Sequence, residues 1–106
     1  METILVIATL PDQEKAQQLA YTLVEQRLAA CVNILPSASS VYRWQGKVET
    51  TNETIILIKT TMARYPALEA AIKELHPYEL PEIIAVPVST GLLAYMDWVK
   101  TETSLN

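Results

Sequence analysis

The only histidine of the chain stands in His76-Pro77-Tyr78-Glu79-Leu80-Pro81-Glu82, seven residues that carry one imidazole and two carboxylates. Two prolines stiffen the stretch, because each fixes its own φ and drives the residue before it toward extended geometry. Neutral imidazole and carboxylate oxygen are ordinary donors for zinc, copper and related ions. His76, Glu79 and Glu82 are therefore candidate ligands for a divalent cation. The same residues have a plain structural use. A histidine at a helix end favours the negative pole of the macrodipole and can bond free carbonyls there, while Glu79 and Glu82 can form a solvated loop surface. Both readings stand at this point.

Other chemistry finds little support. No local Ser-His-Asp or Cys-His spacing occurs, and a single histidine and a single cysteine would need direct contact to work together. With only Gly46 and Gly91 there is no glycine-rich phosphate loop. The residue pattern does not suggest an enzyme.

The elements around this stretch alternate between strand and helix. Ile4 to Ala8 reads as a first strand. Pro11, Asp12 and Glu14 open a helix in which Ala16, Leu19, Ala20, Leu23 and Val24 form one buried stripe. Ala30 to Leu35 is a strand, bent at Pro36 to Ser40 before Val41 to Trp44. Gln45-Gly46 is a tight turn in which the glycine supplies positive φ. A long return strand runs from about Lys47 to Thr60. Pro66 to Leu75 is a second helix, with Leu68, Ala71, Ile72 and Leu75 aligned and a looser helical turn ahead of Pro66. Ile83 to Val88 is a fourth strand. A short last helix, Leu92 to about Thr101, turns Leu92, Tyr95, Met96 and Val99 inward.

The order β-α-β-β-α-β with a C-terminal helix is the ferredoxin-like pattern of the α+β class, in one domain over residues 1–106. It predicts an antiparallel sheet of strand order 4-1-3-2 with the two main helices on one face. One sheet face is then too apolar for what covers it. An open antiparallel sheet should alternate apolar and polar residues. Ile4 to Ala8, Ile55 to Ile58 and Ile83 to Val86 do not. An exposed apolar face of this kind marks an interface. The hairpin arms, about Ala30 to Trp44 and Lys47 to Thr60, would span roughly 45 Å at about 3.3 Å per residue and must project beyond the sheet. Val41, Tyr42 and Trp44 near its tip have little core of their own to enter, so Tyr42 and Trp44 are assigned to a subunit contact. The chain is expected to be an obligate oligomer.

Composition narrows the partners. At 106 residues the chain can bury about 65% of its unfolded surface. A formal charge of −4 and a pI of about 4.9 argue against nucleic acid, whose phosphates call for a basic face. The apolar runs are too short to span a membrane. Glu2 and the end of the apolar run at Thr9 do not suit a signal peptide. Cys31 alone excludes an intramolecular disulfide framework, and a reducing, cytoplasmic location is expected.

Ala29-Ala30-Cys31-Val32-Asn33-Ile34, Tyr42-x-Trp44-x-Gly46, Glu53, Ile58-Lys59-Thr60, the His76 to Ile83 block and Tyr95-x-x-Trp98 occur in one order along nearly the whole chain. In this the sequence resembles the CutA divalent-cation tolerance proteins, departing at Leu80, where valine is more usual. The resemblance implies a tight homotrimer similar in architecture to the PII signalling proteins, associated with tolerance to copper and other divalent cations and without enzymatic activity. It nominates Cys31 beside His76 as a metal position, with copper or zinc bound weakly or transiently. Alternation puts Cys31, Asn33 and Leu35 on the face opposite Val32 and Ile34, near a subunit contact, where Cys31 is either a thiolate donor or a small buried residue. An alternative implied use is a signalling or scaffold trimer. Its inter-subunit crevices, lined by Lys59, Tyr78, Glu79 and Trp98, would receive a small ligand or partner protein.

Overall fold

The computed structural model describes residues 2–105. Its elements are β1 (Thr3–Leu10), α1 (Gln13–Glu25), β2 (Cys31–Trp44), β3 (Lys47–Thr61), a 3-10 turn (Met62–Arg64), α2 (Tyr65–Leu75), β4 (Ile83–Pro87) and α3 (Leu93–Glu102). The four strands form one antiparallel sheet in the order β2-β3-β1-β4, which is the expected 4-1-3-2 read from the other edge. Pro87 is the last residue of β4, an edge strand, where a missing N–H disrupts no inner ladder.

Helices α1 and α2 cover one sheet face. Ile4, Val6 and Ala8 of β1 alternate with Ile56 and Ile58 of β3 into a core with Ala16, Leu19 and Leu23 of α1 and Leu68 and Ile72 of α2. Val32 and Ile34 pack against this core, so Cys31, Asn33 and Leu35 face the other way. Thr60 is buried among them with its hydroxyl satisfied by the Leu28 carbonyl at 2.7 Å.

Helix ends account for several departures from the sequence reading. Asp12 is the N-cap of α1, its Oδ1 accepting from Lys15 N at 2.8 Å, so Pro11 lies just outside the helix and not in its first turn. At the other end Arg27 takes φ 59°, and Leu28 N donates to Leu23 O while Arg27 N donates to Val24 O. This is a Schellman closure, with Leu28 folding back onto Leu23. Leu28 then fills the space beside Leu23, and Val24, expected inside, is exposed. Leu75, the last residue of α2, is also exposed.

The hairpin is longer than its sheet needs. β2 and β3 run 14 and 15 residues, whereas β1 pairs with β3 only as far as Leu10 opposite Thr54. Beyond that point the two strands pair only with each other, and the molecule reaches 45 Å along its longest axis. One extra residue between Leu35 and Ala38, with Ser37 at φ 66°, forms a bulge where the ribbon leaves the sheet. Gln45 and Gly46 close it with φ of 50° and 81°, the two positive values of a type I′ turn.

The second sheet face is only partly covered. Val99 of α3 is fully buried and α3 lies over β3 and β1. Leu92 and Tyr95, expected to turn inward, are exposed, and Met96 is half-buried. A ten-residue helix reaches one end of the face and leaves Leu35 (44% exposed), Ile84 (50%) and Val86 (42%) uncovered.

Candidate functional site

His76 follows the last residue of α2 with extended backbone (φ −83°, ψ 135°), as the following Pro77 demands. That geometry turns its ring away from its own helix and into the fold, where only 8% of the residue remains exposed. Nε2 meets the Thr9 carbonyl of β1 at 2.5 Å, and Nδ1 accepts from Tyr78 N at 3.1 Å. An Nδ1 that accepts a backbone N–H carries no proton, so Nε2 holds it and donates to Thr9. The imidazole is neutral, in one tautomer, with both nitrogens engaged. The helix-end reading places it on carbonyls of its own helix; the carbonyl it bonds belongs to β1.

Tyr78 extends the connection. Its ring lies against His76 with centroids 4.8 Å apart, and its hydroxyl donates to Glu53 Oε2 at 3.1 Å. Glu53 is buried at the point where β3 leaves β1 and enters the projecting ribbon. The Tyr78 phenol is pushed up to about 12, first by partial burial and then by its bond to the Glu53 carboxylate, with Tyr42 and Asp12 adding to it. Thr9, His76, Tyr78 and Glu53 thus make one chain of contacts from β1 through the loop after α2 to the hairpin base. Glu79 and Glu82 stand on the outside of this loop, both exposed.

A second cluster occupies the open sheet face. Cys31 and Lys59 are cross-strand partners, and the Lys59 ammonium donates to Asn33 Oδ1 and to Cys31 Sγ, the latter at 3.8 Å. Tyr95 of α3 lies against Cys31; partial burial raises its phenol above the ordinary value, and the thiol raises it further. Its ring meets Trp98 at 5.5 Å. Beyond Trp98 a shallow cleft of about 260 Å³ opens between the ends of α1 and α3, where Arg27 Nη1 bonds the Glu102 carbonyl at 3.2 Å.

The residues nominated for metal are therefore divided. His76 belongs to the first cluster and Cys31 to the second, and among the described residues no three His, Cys, Asp or Glu side chains are grouped to hold a metal ion. The donor chemistry does not fit a metal within one chain at either place. A ligating His76 would have to release Thr9 or Tyr78, and a cation approaching Cys31 meets the ammonium of Lys59. The crevice residues divide likewise, Lys59 and Trp98 in the face cluster, Tyr78 and Glu79 in the loop. Tyr42 and Trp44 lie in the ribbon, both exposed. Two residues that matter, Glu53 and Tyr95, were visible only as parts of a pattern. A carboxylate beside a long apolar strand end was the available signal for Glu53.

The model of the CutA1 divalent ion tolerance protein family matches residues 4–102. The divalent-cation tolerance protein CutA of Thermus thermophilus is 48% identical over 103 residues, which are 97% of this chain and 99% of that protein. Protein CutA of Homo sapiens is 43% identical over 95 residues, 90% of this chain; the match spans 53% of the human protein, about half its length. The crystal structure of CutA from Xylella fastidiosa has the same fold at a TM-score of 0.95 and 48% identity, covering 98% of this chain and 100% of that one.

Proposed function

The chain belongs to the CutA1 divalent ion tolerance family, and from that premise we propose that it acts in divalent-cation tolerance as a homotrimer. In this reading it binds copper or zinc weakly and catalyses no reaction of its own. The observation that carries the assembly is the open sheet face, where Leu35, Ile84 and Val86 are exposed together beside a ribbon that ends in Val41, Tyr42 and Trp44. Apolar area of this kind is stabilised by a partner surface, and a second and third copy of the same ribbon supply one.

Cation binding is the weaker half of the function. With both His76 nitrogens engaged and Cys31 beside an ammonium, the free donors of the His76 loop are the carboxylates of Glu79 and Glu82. Two exposed carboxylates hold zinc or copper loosely unless a neighbouring subunit completes the set. His76 then serves the site by fixing the loop that carries them. A single thiol fits a reducing compartment, and we assign the protein to the cytoplasm.

The PII-like alternative, a trimer whose crevices take a small ligand or a partner protein, is favoured by one observation, the cation of Lys59 on the open face. Calorimetric titration of the purified protein with zinc and copper tests the main reading. Weak binding that falls in a Glu79→Gln, Glu82→Gln double variant supports it. Tight binding by the isolated protomer, or none at all, overturns its metal half.

A further inference from the structure

The register places Cys31, Lys59, Leu5 and Val86 side by side across the open face, with Asn33, Leu57, Ile7 and Ile84 in the adjacent row. Among these eight residues Lys59 carries the only positive charge, and nothing beside it is negative. Its ammonium contacts an amide oxygen and a thiol, and among the described residues no carboxylate forms an ion pair with it. In an isolated protomer water serves as its remaining partner. Once the face is covered by neighbouring copies, that water is displaced, and an ammonium buried without a counter-charge is strongly disfavoured.

We propose that Lys59, with the Asn33 amide, forms a binding site for a small oxyanion, a carboxylate or a phosphate, at the subunit boundary. Asn33 accepts from Lys59 through its oxygen, which leaves its NH2 group to donate to a ligand. Asn33 lies on β2 and Lys59 on β3, so an anion on the open face meets donors from two strands together. Charge-assisted bonds from such a set are the strong kind. The same cation that favours an oxyanion disfavours a metal ion at Cys31, which separates this site from the carboxylates of the His76 loop. The inference rests on the proposed assembly for the burial of Lys59, whereas both donors belong to one chain.

The test is calorimetric titration with inorganic phosphate and, separately, with acetate, at constant ionic strength in chloride. Wild type, Lys59→Met and Lys59→Arg are compared, with the mass of each measured by sedimentation. Saturable binding is expected in the wild type, retained in Lys59→Arg and weakened about tenfold or more in Lys59→Met. The phosphate and acetate arms show which oxyanion the site takes. No saturable binding of either, or equal binding in Lys59→Met, overturns the site. So does a thiolate ultraviolet absorbance that Lys59→Met abolishes, because Cys31 would then be the counter-ion. A monomer that binds phosphate through Lys59 defeats the assembly and keeps the site; a trimer that binds no anion does the reverse.

Discussion

The Tyr78 hydroxyl and the Glu53 carboxylate, 25 residues apart in sequence, meet at 3.1 Å and fasten the loop after α2 to the base of the projecting hairpin. Because His76 joins the same loop to Thr9 of β1, the direction in which the ribbon leaves the sheet is held from two strands at once. This links the one histidine-bearing motif of the sequence to the projecting hairpin, which the proposed trimer would seat on a neighbouring subunit.

Tyr78→Phe should remove a bond to a buried carboxylate and cost about 1–3 kcal/mol near neutrality. Partial burial and the Glu53 carboxylate push the phenol up to about 12 in the fold, from an ordinary value of 10.0. The folded state therefore keeps a proton that the unfolded state loses first, so this contribution is complete below pH 10 and fades as pH rises toward 12. Urea denaturation of both proteins across that range should show their stabilities converging. A gap that stays constant above pH 10 would contradict the bond.

His76→Ala should destabilise by about 1–3 kcal/mol, because the Thr9 carbonyl and the Tyr78 amide lose their partner in a buried place. His76→Gln keeps a donor for Thr9 and should lose less. In the wild type, nitrogen NMR should find a neutral ring protonated at Nε2. A ring protonated at Nδ1 could make neither bond and would dismiss the assignment.

Zinc and copper titrations should be insensitive to His76→Gln wherever that variant remains folded and assembled. The ring is occupied by the protein itself, and the donors left in the loop are Glu79 and Glu82. Loss of binding in His76→Gln with mass and melting temperature unchanged would return the imidazole to the metal.

Much of this architecture was legible in the residues. Two-sided apolar strands such as Ile4 to Ala8 and Ile83 to Val86 announced a sheet with more apolar face than its helices cover, and the open Ile84 and Val86 are the outcome. The turn at Gln45-Gly46, the break at Pro36 to Ser40 and the strand order follow from local chemistry and short connections. The helix faces were less legible. Val24 and Leu75 share the spacing of buried residues, but burial there depends on where Leu28 folds back and where α2 stops. The candidate site was least legible, since periodicity says nothing of a ring turned by Pro77 toward a carbonyl on β1. Spacing along the loop put His76, Glu79 and Glu82 together; the backbone turned the first inward and left the others outside.

Ile84→Asp should separate folding from assembly. The side chain is half-exposed in one protomer, so a carboxylate there remains hydrated while the protomer stands alone. Covered by a neighbour it is an unpaired buried charge. Trp44→Ala should weaken the same assembly by about 3–5 kcal/mol if its ring is enclosed by a partner. Melting midpoints of the wild type should rise with protein concentration, and both variants should lower them. Unchanged, concentration-independent midpoints in both variants would put these residues in solvent.

The most direct test of assembly through the open face is equilibrium sedimentation of the wild type and Ile84→Asp at micromolar concentration. The wild type should show a single species of three times the 11.8 kDa chain mass, and Ile84→Asp should shift toward one chain. A wild type that sediments as a single chain across the whole range would contradict the homotrimer and leave the exposed Leu35, Ile84 and Val86 without the partner proposed for them.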